Sequence, residues 1–496
     1  MRRVDIDDPA LIRAAGERCG AWVYHLALEG HPYLGGGCYE LTPTEIEVVQ
    51  EATAACHDMA LAVLDAEIAR ADGWRRFGLP AGVWPFVQTS WDRSDDLPAV
   101  LVRFDFAPVC AADGTLTGVV LLEANAQTPT TLPETAGFQW EVVQATWPGA
   151  GQWNGLWDRL VEAWVERIPY LKPGVTAFCW DEGDSSGEDA CNVVWQAEAA
   201  SVAAEMLAAT DADPRLAAAG RGFRAVTGSL ASLELVDAGG APVADRPGGI
   251  AGLSPAERDG CWYRAGDQRV ENLVLLAPWE DVLARPGGSV LVHLSTPPAL
   301  HPGAAPSAGA YAGSYEGPPE NRPLGAGPFG SRTPGSGPAR TGTIETIRVV
   351  EPLWKVCYSN KALMALLWEH FPASPYLVEC FADGPRHLDA FVRKPLFSRE
   401  GANVSIHLDG RIVAEGTDHD YGAEGHVWQR FVDIPAFPTA AGGAARPVFG
   451  AWVIGDEACG LGIRETPGRI TNNGAAFASH RIVDAVASTS TVEASR

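Results

Sequence analysis

Lysine is nearly missing from this chain. Of its 37 basic residues only Lys172, Lys355, Lys361 and Lys394 are lysines, so arginine has taken almost every place where a positive charge is wanted. Three of the four fall between Lys355 and Lys394, which marks that window as one where a compact ammonium on a flexible stem has a use. Long apolar runs are absent as well. No stretch of about 18 apolar residues occurs, which excludes a transmembrane helix, and MRRVDIDDPALIRAAGERCG at the N-terminus has scattered charges and no signal-peptide core. A soluble, cytoplasmic protein is expected. The ten cysteines occur singly, from Cys19 to Cys459, without a C-x-x-C pair or a histidine at zinc-finger spacing. Buried free thiols are therefore expected. A formal charge of −25 argues against a nucleic-acid or anionic-membrane surface and suits a cationic or metal-neutralised partner.

What is present is a globular chain of 496 residues, 46% hydrophobic, long enough for two or three domains. Its most informative stretch is RFDFAPVCAADGTLTGVVLLEANAQTPTTLPE, from Arg103 to Glu134. Two β-like runs flank Ala112-Asp113-Gly114, where glycine is available for φ > 0, so a hairpin is expected. Side chains two apart on a strand share a face, which pairs Arg103 with Asp105 and Glu123 with Asn125. An odd loop, for example the three residues Asp113 to Thr115, would set Asp105 opposite Glu123 and Arg103 opposite Asn125. Two carboxylates and a carboxamide are hard oxygen ligands suited to Mg²⁺, and the adjacent arginine suits a phosphate or carboxylate.

Residues 1 to about 95 read as mostly helical. Thr42-Pro43-Thr44-Glu45 is a capping box with proline at the first helical position, followed by Ile46, Val49, Cys56, Ala60 and Val63 at helical spacing to about Ala69. His57 and Asp58 on this helix are read as a surface or satisfied pair, and Trp74, Trp84 and Trp91 as core. A second helix is expected over about Trp153 to Ile168 on a stripe of Leu156, Leu160, Trp164 and Ile168. Val175–Trp180, Cys191–Ala209 and Gly222–Val226 read as strand, helix and strand, a βαβ unit, and Asn272–Leu276 as a further strand. The crossover loop DEGDSSGED has no G-x-G-x-x-G or Walker pattern, so no nucleotide is assigned to it. From Ser295 to about Thr341 the chain turns to Pro, Gly, Ala and Ser and is expected to be a flexible insert.

The last region opens with EPLWKVCYSNKALMALLWEHFP, in which Ser359-Asn360 can cap a helix from about Lys361 to Glu369. FVRKPLFSREGANVSI follows, strand-like, with Lys394 before a proline and a β-turn over Arg399–Asn403, around Gly401, whose amides could cover phosphates. VWQRFVDIP reads as another strand, and VFGAWVIGDEACGLGIRETPGRITNN closes the core with Arg464-Glu465.

Taken together, GGGCYELTPTEI, VRFDF, LLEANAQTPTTLPE, LAPWED, EPLWKVCYSNKALMALLWEHFP, FVRKPLFSREGANVSI and GAWVIGDEACGLGIRE resemble the glutathionylspermidine synthase family, in its stand-alone synthetase-like branch without an amidase domain. The pieces keep the family's order over nearly the whole chain. The resemblance implies an α/β (α+β) ATP-grasp ligase with a pre-ATP-grasp domain. Together with the readings above it divides the chain into four segments: an N-terminal helical region (1–95), an α/β domain for substrate and metal (96–290), the flexible insert (291–342), which is foreign to compact members of that family, and a nucleotide-binding domain (343–496).

It also implies ATP-dependent amide formation: a small-molecule carboxylate, peptide-like or an amino acid, is phosphorylated, an amine attacks the acyl phosphate, and ADP and phosphate are released. Asp105, Glu123 and Asn125 match the family's Mg²⁺ ligands and Arg103 its arginine at the reacting carboxylate. Lys361 and Lys394 match its ATP-phosphate contacts, Arg464 its arginine near the transferred phosphoryl, and Phe431, Val432 and Asp433 the strand whose backbone faces adenine. The chemistry asks for such residues, since phosphoryl transfer between anions needs mainly metal and cationic side chains. Two departures stand out. The family commonly has Asp where Gln127 stands, which bears on whether the amine is a polyamine, and tryptophan where Asp281 stands. The reading is thus a carboxylate–amine ligase using ATP and Mg²⁺, with a homodimer left open; its alternative is a degenerate ATP-grasp scaffold that binds nucleotide or a partner. Hydrolysis at the same cluster finds no Ser/His/Asp or Cys/His order to support it.

Overall fold

The computed structural model describes residues 1–23, 33–95, 99–181, 183, 186–245, 253, 257, 258, 260–285, 288–295, 347–472 and 474–484. Its spine is an eight-stranded sheet with strands from both ends of the chain. These are β1 (Arg2–Asp5), β2 (Leu34–Leu41), β3 (Leu101–Cys110), β4 (Leu116–Asn125), β16 (Phe437–Pro438), β17 (Ala444–Ile454), β18 (Glu457–Thr466) and β19 (Ala476–Ile482). They lie in the order β1-β2-β19-β18-β17-β3-β4, with β16 on β17. The β2–β19 pair is parallel, while β3 pairs antiparallel with both β17 and β4. Besides the helices Pro9–Cys19, Pro43–Ile68 and Trp84–Asp92, the N-terminal region also supplies β1 and β2, which the expectation of a mostly helical segment did not include. The run LGGGCYEL hides its strand, since its glycines carry no alternation to read. In the sheet they allow close approach: a Cβ on Gly36 would lie 2.4 Å from the Ile6 carbonyl oxygen.

Helix Pro43–Ile68 packs on β4, β17 and β18, and both halves of its capping box form. Ile46, Val49, Cys56, Ala60 and Val63 are buried as the spacing predicts. The Glu45 carboxylate also accepts the Leu116 N–H at 2.7 Å, so one side chain caps the helix and fixes the start of β4. His57 is satisfied by Tyr358 Oη at 2.7 Å and Asp456 at 3.3 Å rather than by Asp58. Trp84 is buried, and Trp74 and Trp91 pack partly buried against the same core.

A second sheet holds β5 (Gly174–Trp180), β6 (Phe223–Ser229), β7 (Glu234–Val236), β8 (Trp262–Ala265), β9 (Gln268–Leu276) and β10 (Arg348–Val350), ordered β6-β5-β9-β8-β7 with β10 on β9. β5 and β6 run parallel, joined through helices Glu188–Ala208 and Pro214–Gly222, which is the expected βαβ unit. Leu156, Leu160 and Trp164 of helix Leu156–Arg167, with Ile168 just beyond it, are buried beside Phe178 and Val274. Burying each such side chain stabilises by roughly 1.5–3 kcal/mol. A third, antiparallel sheet has the order β11-β15-β12-β13-β14: β11 (Cys380–Phe381), β12 (Ala390–Pro395), β13 (Ser405–Leu408), β14 (Arg411–Glu415) and β15 (His426–Arg430). The Pro/Gly-rich insert lies outside the described residues, apart from the end of helix Gly288–Ser295. All ten cysteines are free thiols, eight of them buried. Among the described residues no helix is long and apolar enough to cross a membrane.

One buried residue gives this fold an acid sensitivity. His480 on β19 is fully buried, accepts the Trp153 N–H at 3.1 Å and pairs with Gln139 at 2.9 Å, and burial pulls its imidazole down to about 3. The unfolded chain binds that proton near pH 6.5, so this contribution is fully present above that pH and is lost as pH falls toward 3. Between pH 7 and pH 5 the loss is about 2 kcal/mol. Urea unfolding at the two pH values checks it: His480→Gln should remove about one proton from the uptake on unfolding, and an unchanged slope would refute the assignment.

Candidate active site

The hairpin forms, with a detail that alternation could not predict. Residues 111–115 connect β3 to β4, closed by Ala111 N–H to Thr115 O and Gly114 N–H to Ala111 O, both 2.9 Å, with Gly114 at φ 87°. From a five-residue loop alone, Asp105 would face Leu121. The register slips at two places, near Cys110 and between Asp105 and Phe106. Each slip moves the partner by one residue, so together they keep the parity and bring Asp105 opposite Glu123 and Arg103 opposite Asn125.

The second slip leaves Leu122 as the extra residue of β4. Its carbonyl accepts from Lys394 Nζ at 2.9 Å, and the neighbouring Leu121 carbonyl accepts from Gln429 Nε2 at 3.0 Å. Lys394 on β12 also donates to Gln429 Oε1 on β15 at 2.7 Å. The bulge is thus where the third sheet grips the central one. Lys361, just before helix Ala362–His370, donates to the Ser398 carbonyl and lies 3.2 Å from Glu123 Oε2. Asn360, one residue before the cap position held by Lys361, accepts the Ala362 N–H at 2.8 Å. Ser359, half of the expected cap, instead accepts the N–H groups of Ala126 and Gln127 at 2.7 and 2.9 Å.

Two arginines converge on Asp105. Arg103 reaches it through Nε at 2.8 Å and Nη2 at 3.2 Å, and donates through Nη1 to the Thr130 carbonyl at 2.7 Å. Arg464, on β18, reaches Asp105 Oδ2 at 3.1 Å. Arg103, Asp105, Glu123, Asn125, Lys361, Lys394 and Arg464, separated by up to 361 positions in the chain, therefore occupy one locus. Burial alone would raise the Glu123 carboxyl, but Lys361 and Lys394 hold it down to about 2. Burial lowers Lys394, only partly offset by Glu123. Arg103 is pushed the other way, its burial outweighed by Asp105.

The turn around Gly401 is present, with Glu400 at φ 57° and Gly401 at φ 73°. A Cβ on Gly401 would meet Ile470 Cγ2 at 2.6 Å, so glycine is needed for both conformation and space. Two of the amides expected to cover phosphates are used within the protein: Ala402 N–H to Arg399 O and Asn403 N–H to Thr417 O, both 2.8 Å. Phe431, Val432 and Asp433 are not a strand, which corrects that expectation. β15 ends at Arg430 because its partner β12 begins at Ala390, whose carbonyl takes the Phe431 N–H at 3.0 Å, and Pro435 beyond lacks a donor. The segment meets Arg469, whose guanidinium lies 5.8 Å over the Phe431 ring and 3.7 Å from Asp433. Arg469 and Ile470 also line a cleft of about 330 Å³ with Glu415, Gly416 and Thr417.

Sequence reading missed Arg469; its signal was a second arginine five positions after Arg464. It also missed Glu188, where the acidic loop enters helix Glu188–Ala208. Burial, Glu134 and Asp189 push its carboxyl up to about 8, against Thr130 and Arg464. Gln127 is 3% exposed, accepts the Trp279 N–H at 2.7 Å and donates to Glu280 at 3.1 Å.

Among the described residues no three His, Cys, Asp or Glu side chains gather as a metal cage. A divalent ion here would rest on two carboxylates and a carboxamide and take its other ligands from water and phosphate, the habit of Mg²⁺. The donor set fits. Glu123 and Asn125 share a face, the Asn125 carboxamide, whose oxygen would be the ligand, has its nitrogen buried and unpartnered, and Asp105 adds oxygens now engaged by Arg103 and Arg464.

Residues 8–213 and 336–483 match the family model of the glutathionylspermidine synthase pre-ATP-grasp domain. The chain belongs to the glutathionylspermidine synthase family. Its mixed α/β architecture is the ATP-grasp fold that the family implies. A putative acid–amine ligase of Haemophilus influenzae is 27% identical over 469 residues, 91% of each chain. The trypanothione synthetase of Crithidia fasciculata is 30% identical over 135 residues, 27% of this chain and 20% of that one. The bifunctional glutathionylspermidine synthetase/amidase of Escherichia coli is 28% identical over 91 residues, 18% of this chain and 15% of its own.

Proposed function

We propose that this member of the glutathionylspermidine synthase family is an ATP-dependent carboxylate–amine ligase that releases ADP. The observation that carries the reading is the convergence of Lys361, Lys394, Arg103 and Arg464 on the face that presents Asp105, Glu123 and Asn125. Asp105, Glu123 and Asn125 would hold Mg²⁺, which when bound neutralises phosphate charge and aligns it. Lys361 and Lys394 would contact the ATP phosphates under the turn at Gly401, and the backbone of Phe431, Val432 and Asp433 would face adenine. Arg469, which lines the cleft beside Thr417 and also lies over the Phe431 ring, is the contact that favours the base there.

Arg103, with Nε and Nη2 on Asp105 and Nη1 on Thr130, would fix the acid through the N–H bonds that those contacts leave over on its two terminal nitrogens. An oxygen of that carboxylate attacks the γ-phosphorus, and the bond to ADP breaks. Arg464 would neutralise charge on the phosphoryl group in flight. The amine nitrogen then attacks the acyl carbon, the amide bond forms, and phosphate leaves with the electron pair of the broken C–O bond. The relatives act on the substrates their names state; for this chain the acid is a small peptide-like or amino-acid carboxylate and the amine is open.

ADP release is the test, measured across a panel of short peptides, glutathione among them, and amino acids, each with ammonia, spermidine or another polyamine. Release that needs both an acid and an amine is the expected result. Binding of ATP with no ADP release from any pair would replace this reading with the nucleotide-binding scaffold.

A further inference from the structure

Arg399, at the start of the turn around Gly401, is where three elements far apart in sequence meet. Its guanidinium donates to Glu280 and, at 3.1 Å, to Asp281, both in the first turn of helix Trp279–Ala284. The other Glu280 oxygen is held by Gln127 Nε2 at 3.1 Å, and the Gln127 N–H donates in turn to Ser359 Oγ at 2.9 Å. Next to Arg399, the Ser398 carbonyl takes the Lys361 ammonium. The row Ser359, Gln127, Glu280, Arg399 thus runs from the end of β4 to the turn and ends beside Lys361.

Gln127 lies within that row, and Asp281 meets its end at Arg399. An aspartate at 127 would set a second carboxylate against Glu280 and contest the grip on Arg399, whereas the amide supplies a donor. Asp281 gives Arg399 a second carboxylate, and a guanidinium held by two is fixed in direction as well as place. Gln127 is buried with both ends of its amide used, so its effect passes through Glu280 and the Trp279 N–H rather than through open space.

We propose that Gln127, Glu280 and Asp281 are positioning residues that act through Arg399 to hold the turn Arg399–Asn403 in place over Lys361 before nucleotide arrives. The inference rests on the ATP-binding reading of the site. Without the latch only a fraction of molecules would present the turn correctly, and apparent affinity would fall by that fraction.

Calorimetric titration with Mg·ADP tests it on the full chain. Glu280→Gln with Asp281→Asn should weaken binding about tenfold. Arg399→Ala should weaken it as much, and combining all three should add nothing more. Gln127→Asp should weaken binding too, and adding Glu280→Gln should recover part of the loss by exchanging donor and acceptor, which a misfolded variant would not do. Binding by the Glu280→Gln, Asp281→Asn variant within about twofold of wild type would overturn the latch, even if Arg399→Ala lost affinity, because Arg399 would then touch the nucleotide itself. Absence of Mg·ADP binding by the wild type would overturn the ligase reading instead. Amide exchange over residues 396–404 in the nucleotide-free protein decides the latch separately: faster exchange in the carboxylate variant supports it, and unchanged exchange refutes it.

Discussion

Replacing Glu123 by Ala is expected to lower ADP release at saturating ATP by about 10³-fold. The side chain does two jobs. It is the carboxylate nearest to Lys361 and the chief offset to the burial of Lys394, and it would be a metal ligand. Its removal leaves Lys361, Lys394 and Arg103 facing one another across a partly buried floor. Like charges at that spacing repel, and Lys394, already lowered by burial, goes lower still. Two effects on the nucleotide then oppose each other. Phosphates gain access to uncompensated ammonium groups, so binding of metal-free ATP holds or tightens, while the carboxylate that would orient Mg²⁺ is lost. The expected signature is therefore a fall in the rate with ATP binding retained and a much weaker response to added Mg²⁺. A coupled ADP assay titrated with Mg²⁺, alongside nucleotide binding by calorimetry, reads both. Activity within about tenfold of wild type would remove Glu123 from the metal set.

The polar face of the hairpin was legible in the sequence because strand periodicity is a local property. Arg103 with Asp105, and Glu123 with Asn125, share faces whatever the rest of the chain does, and an odd loop keeps the two pairs on one face of the hairpin. The two register slips were not legible, since a bulge is set by what grips the extra residue, here Lys394 and Gln429 from a sheet more than 270 positions away. The lysines were legible for a compositional reason: in a chain that uses arginine nearly everywhere, a lysine is informative. The capping box of helix Pro43–Ile68 was legible because both partners lie within four residues.

Long-range pairing decided the rest. β2 is a strand because β19 and β1 lie beside it, and its glycines are there for close approach. β15 stops at Arg430 because β12 offers no residue beyond Ala390. Ser359 left its expected cap because the amides of Ala126 and Gln127 needed an acceptor once β4 had ended. In each case the local signal was sound and a partner from elsewhere in the chain outbid or completed it. The same holds for Gln127. Its sequence suggests a missing charge beside a substrate, whereas its surroundings make it a donor to Glu280.

Arg103→Lys is expected to cost about 100-fold in kcat/KM for the acid and roughly 3 kcal/mol of stability, although the charge is kept. Arg103 is 5% exposed and divides its nitrogens between two Asp105 oxygens and the Thr130 carbonyl. An ammonium carries its three donors on a single atom and cannot span that arrangement, so at least one buried acceptor loses its partner. The Thr130 contact is the more damaging loss for function. Thr131 is held at φ 75°, a costly conformation for a β-branched residue, and Arg103 is one of the groups that fixes the adjoining carbonyl. Release of that carbonyl would let the wall behind the acid relax. Asp105 would keep Arg464, which limits the stability loss to the lower end of what breaking a buried pair costs. Because the lysines and the turn at Gly401 are untouched, KM for ATP should change by less than about threefold. Steady-state kinetics with each substrate varied in turn gives the split, and urea unfolding gives the stability. A raised KM for ATP with an unchanged kcat/KM for the acid would move Arg103 to the nucleotide side of the site and leave the acid to Arg464.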